Sequence, residues 1–174
     1  TVFFSPAFVR AAARLEGVDK LQSQRLLPLT LQVSLPPVAL IARELSDPAR
    51  SLPLLKTPLS VPAGQIGIYV SEAVVDLHGA QPGQVFPLFY KAFMPLVLAK
   101  QAPLASFFVA GVWRDYGRQS GAIAIDRSVF EQLTGDRRSN DLALWLNPGV
   151  QATQVQQALQ ALAGPDATDG ADPV

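Results

Sequence analysis

The chain has 174 residues, of which 14 are lysine or arginine, 14 are aspartate or glutamate and 49% are hydrophobic. Balanced charge argues against a dedicated nucleic-acid binder, which needs a basic excess to neutralise phosphates, and so large an apolar share excludes an acidic disordered tail. With no cysteine and a single histidine, His78, a disulfide framework, a thiolate metal site and a cysteine nucleophile are excluded as well.

In chain order, the first residues carry neither a charged leader region nor a small-residue cleavage site, so the sequence reads as a piece of a longer protein rather than as a signal peptide. Ser5-Pro6 starts a helix, with Phe8, Val9, Ala12 and Leu15 on one face and Gly17 at its end. Lys20 to Leu31 reads as a strand or strand pair. Leu26 to Ala42 holds no charge, but it is too short and too broken by Pro28, Pro36 and Pro37 to span a membrane. Val38–Arg43 is a buried strand. Residues 46–64 form a proline-rich loop. Ile66–Val70 is a strand, and Ser71 caps a helix over Glu72–Leu77. Gly79-Ala80-Gln81-Pro82-Gly83 is a turn into a strand over Gln84–Leu88. Ala105–Val112 is the strongest strand, followed by a polar turn over Arg114–Ser120 and a strand over Ala122–Ile125. Asp126 caps a helix through Val129, Phe130 and Leu133 that Gly135 closes. Leu142–Leu146 is a strand, Asn147-Pro148-Gly149 a turn, and Thr153–Leu162 a helix with Val155, Leu159 and Leu162 on one face. Residues 164–174 lack apolar periodicity and read as a flexible tail. This pattern gives an α+β fold.

The residues able to do chemistry are few. His78 ends a short helix, where a histidine suits the last carbonyls and the negative end of the dipole. Glu72 and Asp76 stand at i,i+4 spacing and read as solvated carboxylates near a helix start, where negative charge is favourable; paired carboxylates could also hold calcium or share a proton. Gly117-Arg118-Gln119-Ser120-Gly121 misplaces its serine for a nucleophile elbow, and no phosphate-binding glycine loop is present. Asp136, Arg137, Arg138 and Asp141 read as surface ion pairing of small value. Two tracts are candidate contact surfaces. One is the aromatic run Phe86, Phe89, Tyr90 and Phe93, which is a partner- or lipid-facing patch if exposed and core if buried. The other is the Trp113-Arg114-Asp115-Tyr116-Gly117 connection, where Arg114 and Asp115 can pair and Tyr116 can lie over the turn. Changing Phe89 and Phe93 to serine is expected to abolish binding without unfolding the domain.

Taken in order, Val70-Ser71-Glu72-Ala73, Leu77-His78-Gly79, Gln81-Pro82-Gly83, Phe108-Val109-Ala110-Gly111-Val112-Trp113-Arg114-Asp115-Tyr116-Gly117, Gly121-Ala122-Ile123, Leu133-Thr134-Gly135-Asp136 and Leu146-Asn147-Pro148-Gly149 resemble an extracytoplasmic domain of an FtsX-like (MacB-type) ABC transporter permease. The resemblance runs from about Phe8 to Leu162. The Trp-Arg-Asp-Tyr-Gly tract is similar to the second such domain of large permeases that carry two. It implies a two-lobed MacB-like periplasmic core domain: a βαβ-type lobe with an inserted mixed, mostly antiparallel β lobe. Residues 1–64 would give the first part of the former and a proline-rich connection, 65–134 the insertion, and 135–163 the final strand and helix. Gly79, Pro82, Gly83, Gly111, Gly117, Gly121, Pro148 and Gly149 would be its structural turns.

The function implied by the resemblance is non-catalytic. A separate cytoplasmic ABC ATPase would hydrolyse ATP, and the permease would carry the conformational change across a bacterial inner membrane to this periplasmic domain. The domain would engage a lipid or a protein cargo, without nucleic acid, metal or cofactor, and would be monomeric when isolated. Two other classes stay open at this level. One is a small hydrolase using Glu72, Asp76 and His78; the other is a solute-binding domain with an apolar pocket.

Overall fold

The computed structural model describes residues 2–163 and 168–171. Two compact units divide the chain. One takes the residues up to Arg25 together with those from Arg137 onward, and the other is the continuous stretch Leu26–Asp136. Strand β2, Val18–Leu29, crosses the first division as one strand of 12 residues, where the sequence allowed a pair. The second unit includes the strand over 38–43, which pairs with the strand over 122–126.

The terminal unit has a strand–helix–strand order at each end. At the start stand β1 (Val2–Phe4), α1 (Pro6–Ala13) and β2. At the close stand β7 (Asp141–Leu146), α6 (Ala152–Leu162) and β8 (Thr168–Ala171). The Ser5 side chain accepts the Phe8 amide at 3.1 Å, and Pro6 occupies the first turn, the expected N-cap. Helix α1 stops at Ala13, before Gly17, whose φ of +90° and close approach to Val150 instead serve the turn into β2. Antiparallel ladders join β2 to β7 and β1 to β8. The latter places a strand inside the segment expected to be a tail, whose remaining residues lie outside the described ones. Phe3 is buried between the Arg25 and Arg138 guanidinium groups, 4.8 and 4.2 Å from its ring centre.

The inserted unit is built on β3 (Val38–Arg43), β4 (Ile66–Ser71), β5 (Phe107–Trp113) and β6 (Ala122–Asp126). They run in the order β5-β4-β6-β3, with β2 next. The sheet is mixed but not mostly antiparallel as expected: β4 is parallel to β5, β3 is parallel to β6, and β4 is antiparallel to β6. The parallel pairs follow from long connections, since β4 reaches β5 through α3 (Glu72–His78) and α4 (Pro87–Phe93). After β6 comes α5 (Arg127–Thr134). Glycines at positive φ, Gly79 (+72°) and Gly135 (+73°), end α3 and α5.

Alternation along the strands makes two cores. Val38, Leu40, Ile68, Val70, Phe107, Val109, Ile123 and Ile125 meet α3, α4 and α5 on one face. Ile41, Tyr69, Phe108, Ala110, Ala122 and Ala124 turn to the other, where Leu45 and Leu52 cover them. Both faces are buried, which is why these strands read as continuous apolar runs.

Three local expectations change. Gln84–Leu88 is not a strand: Val85 makes an isolated bridge with Phe108, and Pro87 opens α4 instead. Phe86, Phe89 and Phe93 then share one helical face. Residues 46–64 include a short helix, α2 (Pro48–Ser51). The Ser71 and Asp126 side chains do not cap their helices. Ser71 Oγ accepts the buried Ala122 amide at 3.0 Å, and Asp126 Oδ1 accepts the Leu45 amide at 2.9 Å, so both tie strand ends together.

Candidate functional site

The register of β4 against β5 shifts between Ile68 and Tyr69, which face Val109 and Gly111. Ala110 is thus the extra residue of a bulge, and the alternation of β5 inverts beyond it. Phe107 and Val109 face the helices before the bulge; after it Val112 does so, and Trp113 turns to the second core. A Cβ on Gly111 would stand 2.9 Å from the Tyr69 ring and 3.2 Å from Leu54, so the bulge needs glycine there.

An extended segment follows the outer edge of β5. Leu55 donates its amide to Val112 O at 2.9 Å and Leu59 to Ala110 O at 2.8 Å. Four residues of this segment thus span two of β5, and Lys56-Thr57-Pro58 stands off as a hump. Nearer the start of β5, Gly83 and Phe86 donate to Val109 O and Phe107 O, each at 2.9 Å. The two segments cover the edge that the strand would otherwise present to other chains.

Between them opens a groove of about 450 Å³. Its floor is Ala110, Gly111 and Val112. Its walls are Leu55, Leu59, Val75 and Pro82, with Lys56, Glu72 and Asp76 at the rim. Leu55 and Leu59 are both exposed. The lining is chiefly apolar, and the volume lies in the range of small-molecule sites.

The Arg114 turn joins this rim. Arg114 Nε donates to Glu72 Oε1 at 2.6 Å, and a second bond from Nη2 reaches Oε2 at 3.5 Å. The hydrogen bond from Arg114 holds the Glu72 carboxyl below its usual pKa. Asp115 does not pair with Arg114. It takes Arg118 at 2.9 Å and accepts the Gly117 amide at 2.9 Å, which closes the turn on itself. Tyr116 is 84% exposed and interacts with Arg114.

The aromatic run lies elsewhere. Phe89 and Phe93 are fully buried and Phe86 nearly so. Phe89 meets Phe107 edge-on at 4.7 Å and stacks on Phe93 at 5.3 Å. Tyr90 is half-buried, with its hydroxyl donating to Leu104 O at 3.5 Å. Phe89 and Phe93 fasten α4 to β5 as core, while Phe86 and the half-buried Tyr90 line a shallow pocket with Val85 and Phe107; the aromatic candidate most exposed to solvent is Tyr116. Gly79, Gly83, Gly121 and Gly149 sit at positive φ in turns, with Pro82 and Pro148 just before two of them, and Gly117 lies in the Asp115 turn, whereas Gly111 belongs to a strand.

The residues of a hydrolase reading are engaged separately. His78 is buried, not a surface cap, and its Nδ1 stands 3.0 Å from Gln32 Nε2. Glu72 belongs to Arg114, and Asp76 to the groove rim. Among the described residues no cluster of three or more histidine, aspartate or glutamate side chains could hold a metal, and no helix is long and apolar enough to cross a membrane. Sequence reasoning missed Leu55 and Leu59. The available signal was leucine recurring among prolines in a segment without helical or strand periodicity.

No family model matches the sequence, and neither does any curated protein. Solved structures do match. The extracellular domain of the noncanonic ABC-type transporter YknZ from Gram-positive bacteria aligns over 90% of this chain and 78% of its own, with a TM-score of 0.51 and 11% identity. The periplasmic region of MacB from Actinobacillus actinomycetemcomitans aligns over 93% of this chain and 73% of its own, with a TM-score of 0.52 and 14% identity. The chain has the fold of these two domains. The MacB-like α+β architecture implied by the ordered motifs between Val70 and Gly149 is therefore the one observed. At such identities the likeness is one of fold.

Proposed function

We propose that this chain is a non-catalytic, extracytoplasmic domain of an ABC transporter permease, held outside the cytoplasm at a bacterial inner membrane. ATP is hydrolysed by a separate cytoplasmic ATPase, and the permease passes the resulting movement to this domain, which engages a lipid or a protein cargo. The contact surface is the β5 groove with the Arg114–Tyr116 turn at its rim. The observation that carries the proposal is the fold shared with two extracytoplasmic transporter domains. The engagement of Glu72 and His78 by Arg114 and Gln32 supports a role without acid–base chemistry. Mechanical coupling of this kind asks for packed units and a bistable connection rather than a catalytic pair.

The test uses the full-length gene product. Cells are fractionated and protease is added from the periplasmic side. Recovery in membranes with cleavage inside this domain is the expected result. A soluble product that external protease cannot reach overturns the proposal. For the contact surface, Leu59→Asp and Tyr116→Ala are expected to weaken capture of transporter cargo at least tenfold while leaving the melting temperature of the domain within about 2 °C of the parent, as surface changes usually do.

A second reading, a solute-binding domain, is favoured by the volume and apolar lining of the groove. Thermal shift against a panel of lipids and small molecules tests it, because a ligand bound only to the folded state raises the melting temperature.

A further inference from the structure

We propose that His78 and Gln32 form an acid-released latch, which holds the tip between β2 and β3 (residues 30–37) to the end of α3 at neutral pH and frees it when the imidazole is protonated.

His78 is the last residue of α3 and is 6% exposed. Its Nδ1 lies 3.0 Å from Gln32 Nε2, and its Nε2 is buried without a hydrogen-bond partner. The neutral ring suits this arrangement: the amide donates to Nδ1, and the ring proton sits on Nε2. A second proton would enter at Nδ1, facing the amide hydrogens. Rotation of the Gln32 amide could restore one bond, yet the charge and the Nε2 proton would remain buried. A buried charge without a partner is costly, and the structure relieves it by opening.

The groups around the ring offer no compensation. Residues 26–42, which include Gln32, hold no charge, and none occurs from Leu77 to Tyr90. On α3 itself Glu72 is bound to Arg114, and Asp76 stands at the groove rim, two positions back on the helix. Strands β4 and β6, against which α3 lies, carry Asp126 and the Tyr69 phenol. Asp126 is bonded to Leu45 and Ser128, and Tyr69 faces the second core. Burial holds the His78 pKa below its ordinary value. The helix dipole favours a cation at this end and so opposes the effect of burial.

Few backbone bonds hold the tip. Outside the ladders, Leu35 donates to Gln32 O at 3.1 Å, Pro36-Pro37 removes two donors, and Val33 is 99% exposed at the apex. Anchored by Leu31 and Val38 at its ends, it has the Gln32 side chain as its tether to α3.

His78 is the chain's single histidine, so its imidazole resonances titrate without ambiguity. The experiment pairs that titration with hydrogen exchange of the tip and of β5 and β6, with rates corrected for intrinsic pH dependence. In the parent, His78 titrates below the ordinary range. Protection of the tip then falls as pH drops, tenfold for each unit by which the His78 pKa lies below its ordinary value, while β5 and β6 stay protected. Gln32→Glu supplies a carboxylate acceptor, so the His78 pKa rises and the acid response of the tip disappears. Gln32→Ala serves as a second variant, and its tip exchanges at the released rate at neutral pH too. Three results overturn the latch: an ordinary or raised His78 pKa in the parent, equal loss of protection in β5 and β6, or an unchanged acid response in both Gln32 variants.

Discussion

Replacing Phe89 separates core from contact surface. In the structure it is fully buried in the inserted unit, edge-on to Phe107 at 4.7 Å and stacked on Phe93 at 5.3 Å. Phe89→Ala removes the ring from a packed interior, at a cost of about 3–5 kcal/mol once the remaining cavity is included. The two ring contacts account for part of this, since such pairs contribute roughly 0.5–1.5 kcal/mol each beyond burial. Phe89→Ser costs more again, because its hydroxyl enters the same site without a built partner, adding about 1–3 kcal/mol. For a chain of this length each kcal/mol moves the melting temperature by about 2–4 °C. Phe89→Ala should therefore melt about 6–20 °C below the parent by circular dichroism, with a parallel fall in the urea midpoint. A melting temperature within 2 °C of the parent, with binding lost, would restore the surface reading and refute the packing argument.

Two further outcomes follow from single contacts. Ser71→Ala strands the buried Ala122 amide that now bonds Ser71 Oγ at 3.0 Å, and should cost about 1–3 kcal/mol in urea unfolding at unchanged m-value; a change under 0.5 kcal/mol would mean that the amide finds another partner. Gly121→Ala places a Cβ 2.6 Å from Val74 Cγ2 at a φ of +102°, costing about 1–3 kcal/mol for the overlap alone, whereas Gly117→Ala, whose nearest contact is Asp115 Oδ1 at 3.5 Å, should stay within about 0.5 kcal/mol. Equal melting temperatures for the two glycine variants would contradict this geometry.

The strands of the inserted unit were legible because β3, β4, β5 and β6 are buried on both faces and appear as short apolar runs. The glycines that end α3 and α5 were legible from position alone, because few other residues adopt positive φ. Two features escaped for one reason: local pattern does not report long-range partners. Phe86–Phe93 looked equally like a patch or a core until α4 met Phe107. Ser71 and Asp126 looked like caps, but their partners, Ala122 and Leu45, are 51 and 81 residues away in sequence. The groove escaped because it depends on a one-residue bulge, which sequence alternation inside an all-apolar strand cannot reveal. The same blindness misplaced His78, whose partner Gln32 lies 46 residues earlier.

The division of the chain also sets an order of events during synthesis. Every residue of the inserted unit, through Asp136, leaves the ribosome before β7, α6 and β8 exist. Both of its cores are then complete in sequence, so it can fold as a unit while β1, α1 and the start of β2 wait for their partners. The pairing of Val2 with Ala171 closes nearly the whole chain into one loop. Once the inserted unit is compact, most of that loop is no longer free chain, and the entropy of closure falls accordingly. Prior folding of the inserted unit thus favours closure of the terminal one, and a lesion such as Phe89→Ser is expected to slow that closure, leaving nascent β1 and α1 open to proteases and to pairing with other chains for longer.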